Sequence, residues 1–326
     1  MKMYDLIVIG GGVSGMIAAI TAKEYGAERV LVLEREFELG GTLNYCVHNG
    51  FKSKYTSGDL TAPEYIYSLV EKLKECNIEY KTLANVISID KDKKITAVSE
   101  EGILTLKANA IIMAMGTRER PLGYKNILSH RCAGIVSAMS TLKLINKRAT
   151  LPGKNVFILG SEDTAIFAAR SLILEGANVK GIIETTDKIK AKSPKSKQFV
   201  EEFNLNVMTN SRVTKVFGEG RVTGVNISKL DKNKRIIEGS KQYMDCDTLV
   251  LSIYMKAESG VAEELGIIVD KYGKILVKED MQTSITGIFS CGTIVSGYET
   301  ADKITEESEK AAIEAVKYLG TIKNEK

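Results

Sequence analysis

Met3 to Ile9 (MYDLIVI) is a short apolar run rich in branched side chains, the pattern of a parallel strand buried on both faces. Gly10 to Gly15 (GGGVSG) follows, then an alanine-rich helical stretch to about Tyr25 and a helix stop at Gly26–Ala27. A second strand, Arg29 to Leu33, ends at Glu34. The pattern predicts strand, glycine turn, helix, strand. It is written twice. Asn155 to Leu159 (NVFIL) predicts a strand, Gly160 a turn and Asp163 to Glu175 a helix. Gly176–Ala177 stops that helix, and Val179 to Ile183 predicts a strand ending at Glu184. Gly10 and Glu34 stand 24 residues apart, as do Gly160 and Glu184, and the two helix stops share one offset. Chance would not preserve both spacings, so the pattern is an internal repeat of a nucleotide-binding unit.

The second half of each repeat also matches. Polar hairpins (Val86 to Leu106, Arg212 to Ser228) lead into apolar return strands at Ala108 to Ala114 and Cys246 to Ser252. Ile275 to Val277 and Gly287 to Cys291 predict further strands. Thr300 to Leu319 predicts a helix with Ile304, Ala311, Ala312, Ala315 and Leu319 on its apolar side. The fold class expected is α/β, with two Rossmann-like dinucleotide-binding domains of three-layer ββα character. The second is expected to be inserted into the first, with residues 1–118 and 251–326 forming one domain and 119–250 the other.

Composition narrows the function classes. The 326 residues are 44% hydrophobic and 26% charged, the balance of a soluble globular protein of about two domains. No apolar run approaches roughly 18 to 20 residues, so no membrane span is expected. Asp5 and the glycines break the N-terminal apolar stretch where a secretory signal needs continuity, which makes a cytoplasmic setting the expectation. Five cysteines without a C-x-x-C pair and only two histidines offer no metal-ligand spacing and no disulfide framework. The net charge of +4 is small, and its densest basic stretch, Lys188 to Lys197 (KIKAKSPKSK), contains no aromatic residue. It reads as a solvated loop, with a phosphate-binding edge or a docking surface as alternatives; nucleic-acid binding is not supported.

Gly10-x-Gly12-x-x-Gly15 gains specificity from its context, because it follows a strand, opens a helix and is answered by Glu34. Gly10 permits the tight turn, Gly12 lets the backbone approach a pyrophosphate, and Gly15 lets helix and strand pack closely. The helix N-terminus presents N–H groups to the anion, and Glu34 can accept hydrogen bonds from ribose hydroxyls. Three later segments favour FAD here: Gly40 to Thr42 (GGT), Met113 to Thr117 (MAMGT) and Gly287 to Thr293 (GIFSCGT). The residues expected to hold FAD are Gly10, Gly12, Val13, Ser14, Gly15, Glu34, Arg35, Gly41, Thr42, Val86, Ala114, Gly116, Gly292 and Thr293. No catalytic residue can be named.

The chain resembles the pyridine nucleotide oxidoreductases with two dinucleotide domains, of the short thioredoxin-reductase-like type. More closely, it resembles the flavoprotein subunit paired with glycerol-3-phosphate dehydrogenase-like proteins, related to subunits of opine oxidase, dye-linked proline dehydrogenase and hydrogen cyanide synthase. Gly40 to Gly50 (GGTLNYCVHNG), Leu60 to Tyr65 (LTAPEY) and Gly116 to Pro121 (GTRERP) carry that likeness. Leu151 to Lys154 (LPGK), Leu174 to Ala177 (LEGA) and Thr283 to Phe289 (TSITGIF) extend it over nearly the whole chain. The resemblance implies FAD binding, oxidation of NAD(P)H and electron transfer within a complex. The partner would be a dehydrogenase subunit or, as a homodimer, a second copy.

Departures from the family pattern matter as much. The cysteine pair that disulfide reductases carry after Gly-Gly-Thr is replaced by Leu43 and His48, and Cys132 stands without a partner cysteine. Reduction of a disulfide through an internal dithiol is therefore not expected, since exchange needs a resolving thiol. Cys46 reads as a small buried hydrophobe, with a single-thiol peroxidase as the alternative; His48 reads as a structural residue, with a flavin-side acid or base as the alternative. Nothing in the pattern supports a role for His130. Thr293 stands where the family commonly has an acidic or amide residue at the ribityl hydroxyls. The second fingerprint is altered: Gly160-Ser161-Glu162-Asp163-Thr164-Ala165 puts a carboxylate where backbone should meet pyrophosphate. Glu184 would favour NAD over NADP at that site. The expected function is an FAD-dependent oxidoreductase passing electrons from NAD(P)H to an unidentified acceptor. The alternative is an FAD-containing electron-transfer or assembly subunit with a degenerate NAD(P) site.

Overall fold

A computed structural model describes residues 2–52, 54, 58–119, 132–252, 255–297 and 301–324. They form two units, one from Met1–Arg118 with Met255–Lys326, the other from Glu119–Tyr254. The first unit begins β1 (Lys2–Ile9), α1 (Val13–Glu24), β2 (Val30–Leu33), a 3-10 turn (Gly41–Tyr45) and a ribbon of β3 (Asn49–Phe51) and β4 (Leu60–Thr61). It continues with α2 (Ala62–Glu75), β5 (Glu79–Lys81), β6 (Asn85–Ile89), β7 (Lys94–Ser99), β8 (Gly102–Met113) and β9 (Thr117–Glu119). The second unit runs through β10 (Ile135–Ser137), α3 (Ala138–Arg148), β11 (Asn155–Leu159), α4 (Asp163–Leu174) and β12 (Asn178–Ile183). Next come α5 (Pro194–Glu202), β13 (Val207–Met208), β14 (Ser211–Phe217), β15 (Gly224–Lys229), β16 (Gln242–Asp245) and β17 (Thr248–Leu251). The chain returns through β18 (Met255–Ala257), α6 (Gly260–Glu264), β19 (Ile288–Ser290), α7 (Thr293–Ser296) and α8 (Ala301–Asn324).

The first sheet has the order β5-β2-β1-β8-β7-β6, and β19 pairs β8 as well. β8 serves two layers. From Gly102 to Lys107 it pairs antiparallel with β7, and from Leu106 to Met113 it runs parallel to β1. Hairpin and return strand, expected as separate elements, are one continuous strand here. In the second unit they are split into β16 and β17 at Cys246–Asp247. There Asp247 turns its carboxylate to the N–H groups of Lys154 and Asn155, at 3.0 to 3.1 Å. The parallel sheet of that unit has the order β10-β17-β11-β12-β13, with β14-β15-β16 as a separate antiparallel layer.

Burial explains the apolar runs. Leu6 and Val8 join the core on the helical side with Met16, Ile20, Phe289 and Ala312. Ile7 and Ile9 join the core on the opposite face with Ile95, Ala97 and Ile275. A strand covered on both sides has no reason to alternate. α1 is buried from Gly15 to Ala22 and is apolar all round, as a helix inside the core must be. Its Ala18, Ala19 and Ala22 share that core with Ala311, Ala312 and Ala315 of α8. The Leu60 to Tyr65 motif is a helix start: Glu64 Oε2 accepts from the Thr61 N–H at 2.8 Å and from its hydroxyl at 2.7 Å, with a proline in the first turn of α2.

Two expectations are corrected. Ile275 to Val277 is not a strand; Ile275 makes only an isolated bridge to Val269. Asp270 closes a tight turn there by accepting the N–H groups of Tyr272 and Lys274, both at 2.8 Å, and Ile275 is buried while Leu276 is exposed. The basic stretch is not wholly a solvated loop. α5 begins inside it, with Ser193 before Pro194, the preferred chemistry of a helix start.

The alanine contact leaves no room for growth. Ala312→Leu is expected to cost roughly 1 to 3 kcal/mol by overpacking α8 against α1, read as a lower urea midpoint with an unchanged denaturant slope.

Candidate functional site

At the first turn, three glycines meet three different demands. Gly10 has φ +106°, and a Cβ there would lie 2.4 Å from the Ala114 carbonyl oxygen. A Cβ on Gly15 would lie 1.8 Å from the Gly10 carbonyl oxygen, so helix and strand touch through bare backbone. Gly12 differs. Its φ of −70° and ψ of −180° suit any residue, and a Cβ would find Gly41 Cα no nearer than 3.9 Å. Nothing in the chain requires a glycine at position 12; the open space belongs to whatever approaches the N-terminus of α1. That terminus has Gly12 as its cap and no capping side chain, so its first N–H groups face outward without one.

The expected segments gather around this turn. The Gly40 N–H donates to the Gly11 carbonyl at 2.8 Å, and the backbones of Gly41 and Gly12 touch. A Cβ on Gly292 would strike Ser14 Oγ at 2.2 Å, and one on Gly116 would lie 3.5 Å from Thr293 Oγ1. Val13 opens α1, and Thr42 is exposed in the 3-10 turn. Glu34 is buried and accepts from the Gly11 N–H at 2.7 Å (Oε2) and the Glu36 N–H at 2.8 Å (Oε1). One donor on each oxygen leaves two lone-pair positions. Two other expected residues have their side chains engaged by neighbours. Val86 is buried in the core on the far face of the sheet. The Arg35 guanidinium pairs with Glu258 at 3.2 Å, a carboxylate that also holds Arg118 at 3.2 Å. Sequence reasoning placed Gly40 within an FAD-side segment without listing it as a site residue, and it missed Gly11 and Glu258. The GGG run at Gly10 to Gly12 and the GG at Gly40–Gly41 signalled the two glycines; Glu258 had no signal, being 223 residues from Arg35.

The second turn repeats the first bond for bond. Gly10 N–H donates to Leu33 and Gly160 N–H to Ile183; Glu34 N–H donates to Lys81 and Glu184 N–H to Met208. The Ser161 N–H meets Glu184 Oε2 at 3.2 Å, as Gly11 meets Glu34. Glu184 carries far more donors, however. The Ser161 hydroxyl reaches Oε2 at 2.8 Å. Oε1 has the Thr186 N–H at 2.9 Å, the hydroxyls of Thr185 and Thr186 at 3.2 and 3.0 Å, and the Lys190 ammonium at 3.1 Å. Burial alone would raise this carboxyl, but the Thr186 N–H, the Ser161 hydroxyl and Lys190 outweigh it and hold the group down at about 2.

Glu162 stands where Gly12 stands in the first repeat, with the same backbone conformation (φ −68°, ψ 167°). Its Oε2 is buried without a hydrogen-bond partner, 2.7 Å from where a Gly160 Cβ would be, and its Oε1 is 3.8 Å from Lys190 Nζ. The loop after Glu184 is tied to the same helix end. Lys190 N–H donates to Ser161 Oγ, and Asp163 accepts from the Ser193 N–H at 2.9 Å and the Ser196 hydroxyl at 2.6 Å.

A model of the pyridine nucleotide-disulphide oxidoreductases matches residues 4–308. The chain belongs to that family. Members bind FAD and use NAD(P)H, and the chain is an FAD-dependent oxidoreductase of this kind. It is 26% identical over 301 residues to a thioredoxin reductase of Listeria monocytogenes, covering 90% of this chain and 86% of that one. It is 24% identical to an NADH dehydrogenase of Ferdinandcohnia aciditolerans, covering 97% of this chain but only 57% of that protein. The crystal structure of T. acidophilum thioredoxin reductase shares the fold, with a TM-score of 0.78 at 20% identity over 99% of this chain and all of the other.

Against that family name, the cysteines are notable. All five are free. Loss of hydration on burial pushes the Cys46 and Cys291 thiols up to about 12; for Cys246 burial, helped by Asp247, raises it to about 11. None of these three supplies a thiolate near neutral pH. His48 Nδ1 lies 2.8 Å from the Asn49 carbonyl, and its ring stacks on Phe51 at 5.2 Å between centroids. His130, Arg120 and Pro121 lie outside the described residues. Among the described residues no helix is long and apolar enough to cross a membrane, and no cluster of three metal-ligating side chains occurs.

Two outcomes are expected. Gly12→Ala should leave the thermal midpoint of flavin-stripped protein within about 1 °C while abolishing FAD uptake, whereas Gly15→Ala should lower that midpoint by several degrees, about 1 to 3 kcal/mol of overpacking. For Glu184, the folded carboxyl titrates at about 2 and the unfolded one at about 4.3. Its stabilisation is therefore complete above pH ~5 and lost as pH falls toward 2. Urea unfolding at pH 6 and pH 3 should show that loss in the parent and a flatter dependence in Glu184→Gln.

Proposed function

We propose that FAD lies along the first glycine turn, that the second unit takes the reduced pyridine nucleotide, and that electrons leave to an acceptor other than an internal dithiol. The observation that carries the reading is Gly12, a glycine that neither its dihedrals nor its neighbours require. A pyrophosphate approaching there would meet the first N–H groups of α1 at Val13, Ser14 and Gly15. Glu34, with two lone-pair positions left, would accept the adenosine ribose hydroxyls. Gly41, Thr42, Ala114, Gly116, Gly292 and Thr293 complete the wall by closely approaching backbone. Arg35, steadied by Glu258, adds a positive group next to Glu34, and Val86 contributes main chain only. When bound, FAD supplies the two-electron acceptor that a nicotinamide hydride can reduce. No side chain has to move a proton for that transfer, so the chain's task is positioning. Glu184 at the end of β12 favours NADH over NADPH, because a 2′-phosphate would meet a carboxylate held ionised.

Glu162 favours a second reading. With a carboxylate in place of the pyrophosphate's glycine, the second unit would be silent, and the chain would be an FAD-containing electron-transfer or assembly subunit docked on a dehydrogenase. Anaerobic titration of the purified protein with NADH and then NADPH, followed by flavin absorbance, separates the two. Stoichiometric bleaching, better with NADH and unchanged in Cys46→Ser, is the expected result. A flavin that dithionite reduces but neither nucleotide touches would replace the first reading with the second.

A further inference from the structure

We infer that Glu162 and Lys190 form a latch that closes the second dinucleotide site, and that Lys190, once released from Glu162, is the cation that meets the diphosphate. This rests on the assignment of the second unit as the pyridine-nucleotide site. The two repeats act as a built-in control, since they share the backbone hydrogen bonds that tie the glycine turn to the acidic residue and the next strand. Gly12 and Glu162 have the same dihedrals, so the fold itself demands neither residue. What differs is the occupancy of the space above the helix. Over α1 it is open. Over α4 the Glu162 carboxylate fills it, an anion at the helix N-terminus where a diphosphate would otherwise sit. One carboxylate oxygen of Glu162 is buried without a donor, and the other is 3.8 Å from Lys190.

Lys190 joins this carboxylate to the ribose end of the site. Its ammonium lies 3.1 Å from Glu184 Oε1, an oxygen already approached by three donors from Thr185 and Thr186. Its own N–H is fixed to Ser161 Oγ at 3.0 Å, so the residue cannot drift from the turn. Closed, the latch supplies one negative charge against the diphosphate and saturates the carboxylate that would take the ribose hydroxyls. Opened, it offers a lysine to the diphosphate and returns acceptor capacity to Glu184. The same two side chains therefore set how tightly the site holds its nucleotide, and their substitution has opposite signs.

The test measures binding rather than electron transfer. ADP-ribose is titrated calorimetrically into the FAD-loaded protein, with flavin content and thermal midpoint checked for every variant. Removing a like charge beside the diphosphate should tighten binding by roughly tenfold or more in Glu162→Gly. Glu162→Gln, which keeps the bulk and removes the charge, should recover part of that gain and serves as the test if the glycine variant is unstable. Lys190→Met added to Glu162→Gly should cancel most of the gain, and Lys190→Met alone should weaken binding. Equal affinity in parent and Glu162 variants, including undetectable binding in all, overturns the latch, as does tighter binding in Lys190→Met alone. The functional assignment fails separately: ADP-ribose binding that tightens as expected beside a flavin that NADH cannot bleach would retain the latch and remove NADH as the reductant.

Discussion

The contact on which the first unit depends is bare backbone against bare backbone, where α1 leaves β1. Gly15 lies so close to the Gly10 carbonyl that no side-chain atom fits between them, and Gly10 itself is pressed against Ala114. That approach aims the N-terminus of α1 across the ends of β1 and β8 and brings Gly11 within 2.7 Å of Glu34. The buried carboxylate then fixes the following loop through Glu36, and with it the return of the chain at Gly40 and Gly41. Site geometry and core packing adjoin in one motif, because Gly10 and Gly15 let helix and strand meet while Gly12 between them leaves open space.

The second unit shows what happens when the scaffold is kept and the residues of the turn are changed. Gly160 retains its positive φ, Ala165 takes the place of Gly15, and Glu184 keeps the hydrogen bond to the turn. Two positions have become charged, Glu162 in place of Gly12 and Asp163 in place of Val13, and Asp163 is held by the Ser193 N–H and the Ser196 hydroxyl. The carboxylate of Glu162 has one oxygen buried without a donor and the other 3.8 Å from Lys190 Nζ.

The free cysteines follow the same pattern. The chain retains the family's sheet and helix order while Cys46, Cys246 and Cys291 are held protonated by burial. Redox chemistry confined to a bound flavin needs no nearby thiolate. It does need a rigid cradle, which the covered faces of β1 and the alanine seam between α1 and α8 supply.

Much of this was legible in the sequence. The paired 24-residue spacings from glycine to acid, the helix stops and the apolar runs specified two copies of one unit, because a strand buried on both faces and a helix buried all round leave unbroken apolar segments. Gly10, Gly12 and Gly15 were readable for the same reason: their roles are set by local backbone chemistry. Tertiary structure alone decided the rest. Val86 was expected at the site but faces the core, since which side of a strand is inward depends on the layer packed against it. Ile275 has the apolar pattern of a strand but makes only an isolated bridge to Val269. Glu258 meets Arg35 across more than two hundred residues, and Lys190 lay hidden in a lysine-rich run that composition reads as solvent-exposed. Charges far apart in sequence carry no periodic signal, so only the folded chain could reveal that Lys190 pairs with Glu162 at the second glycine turn.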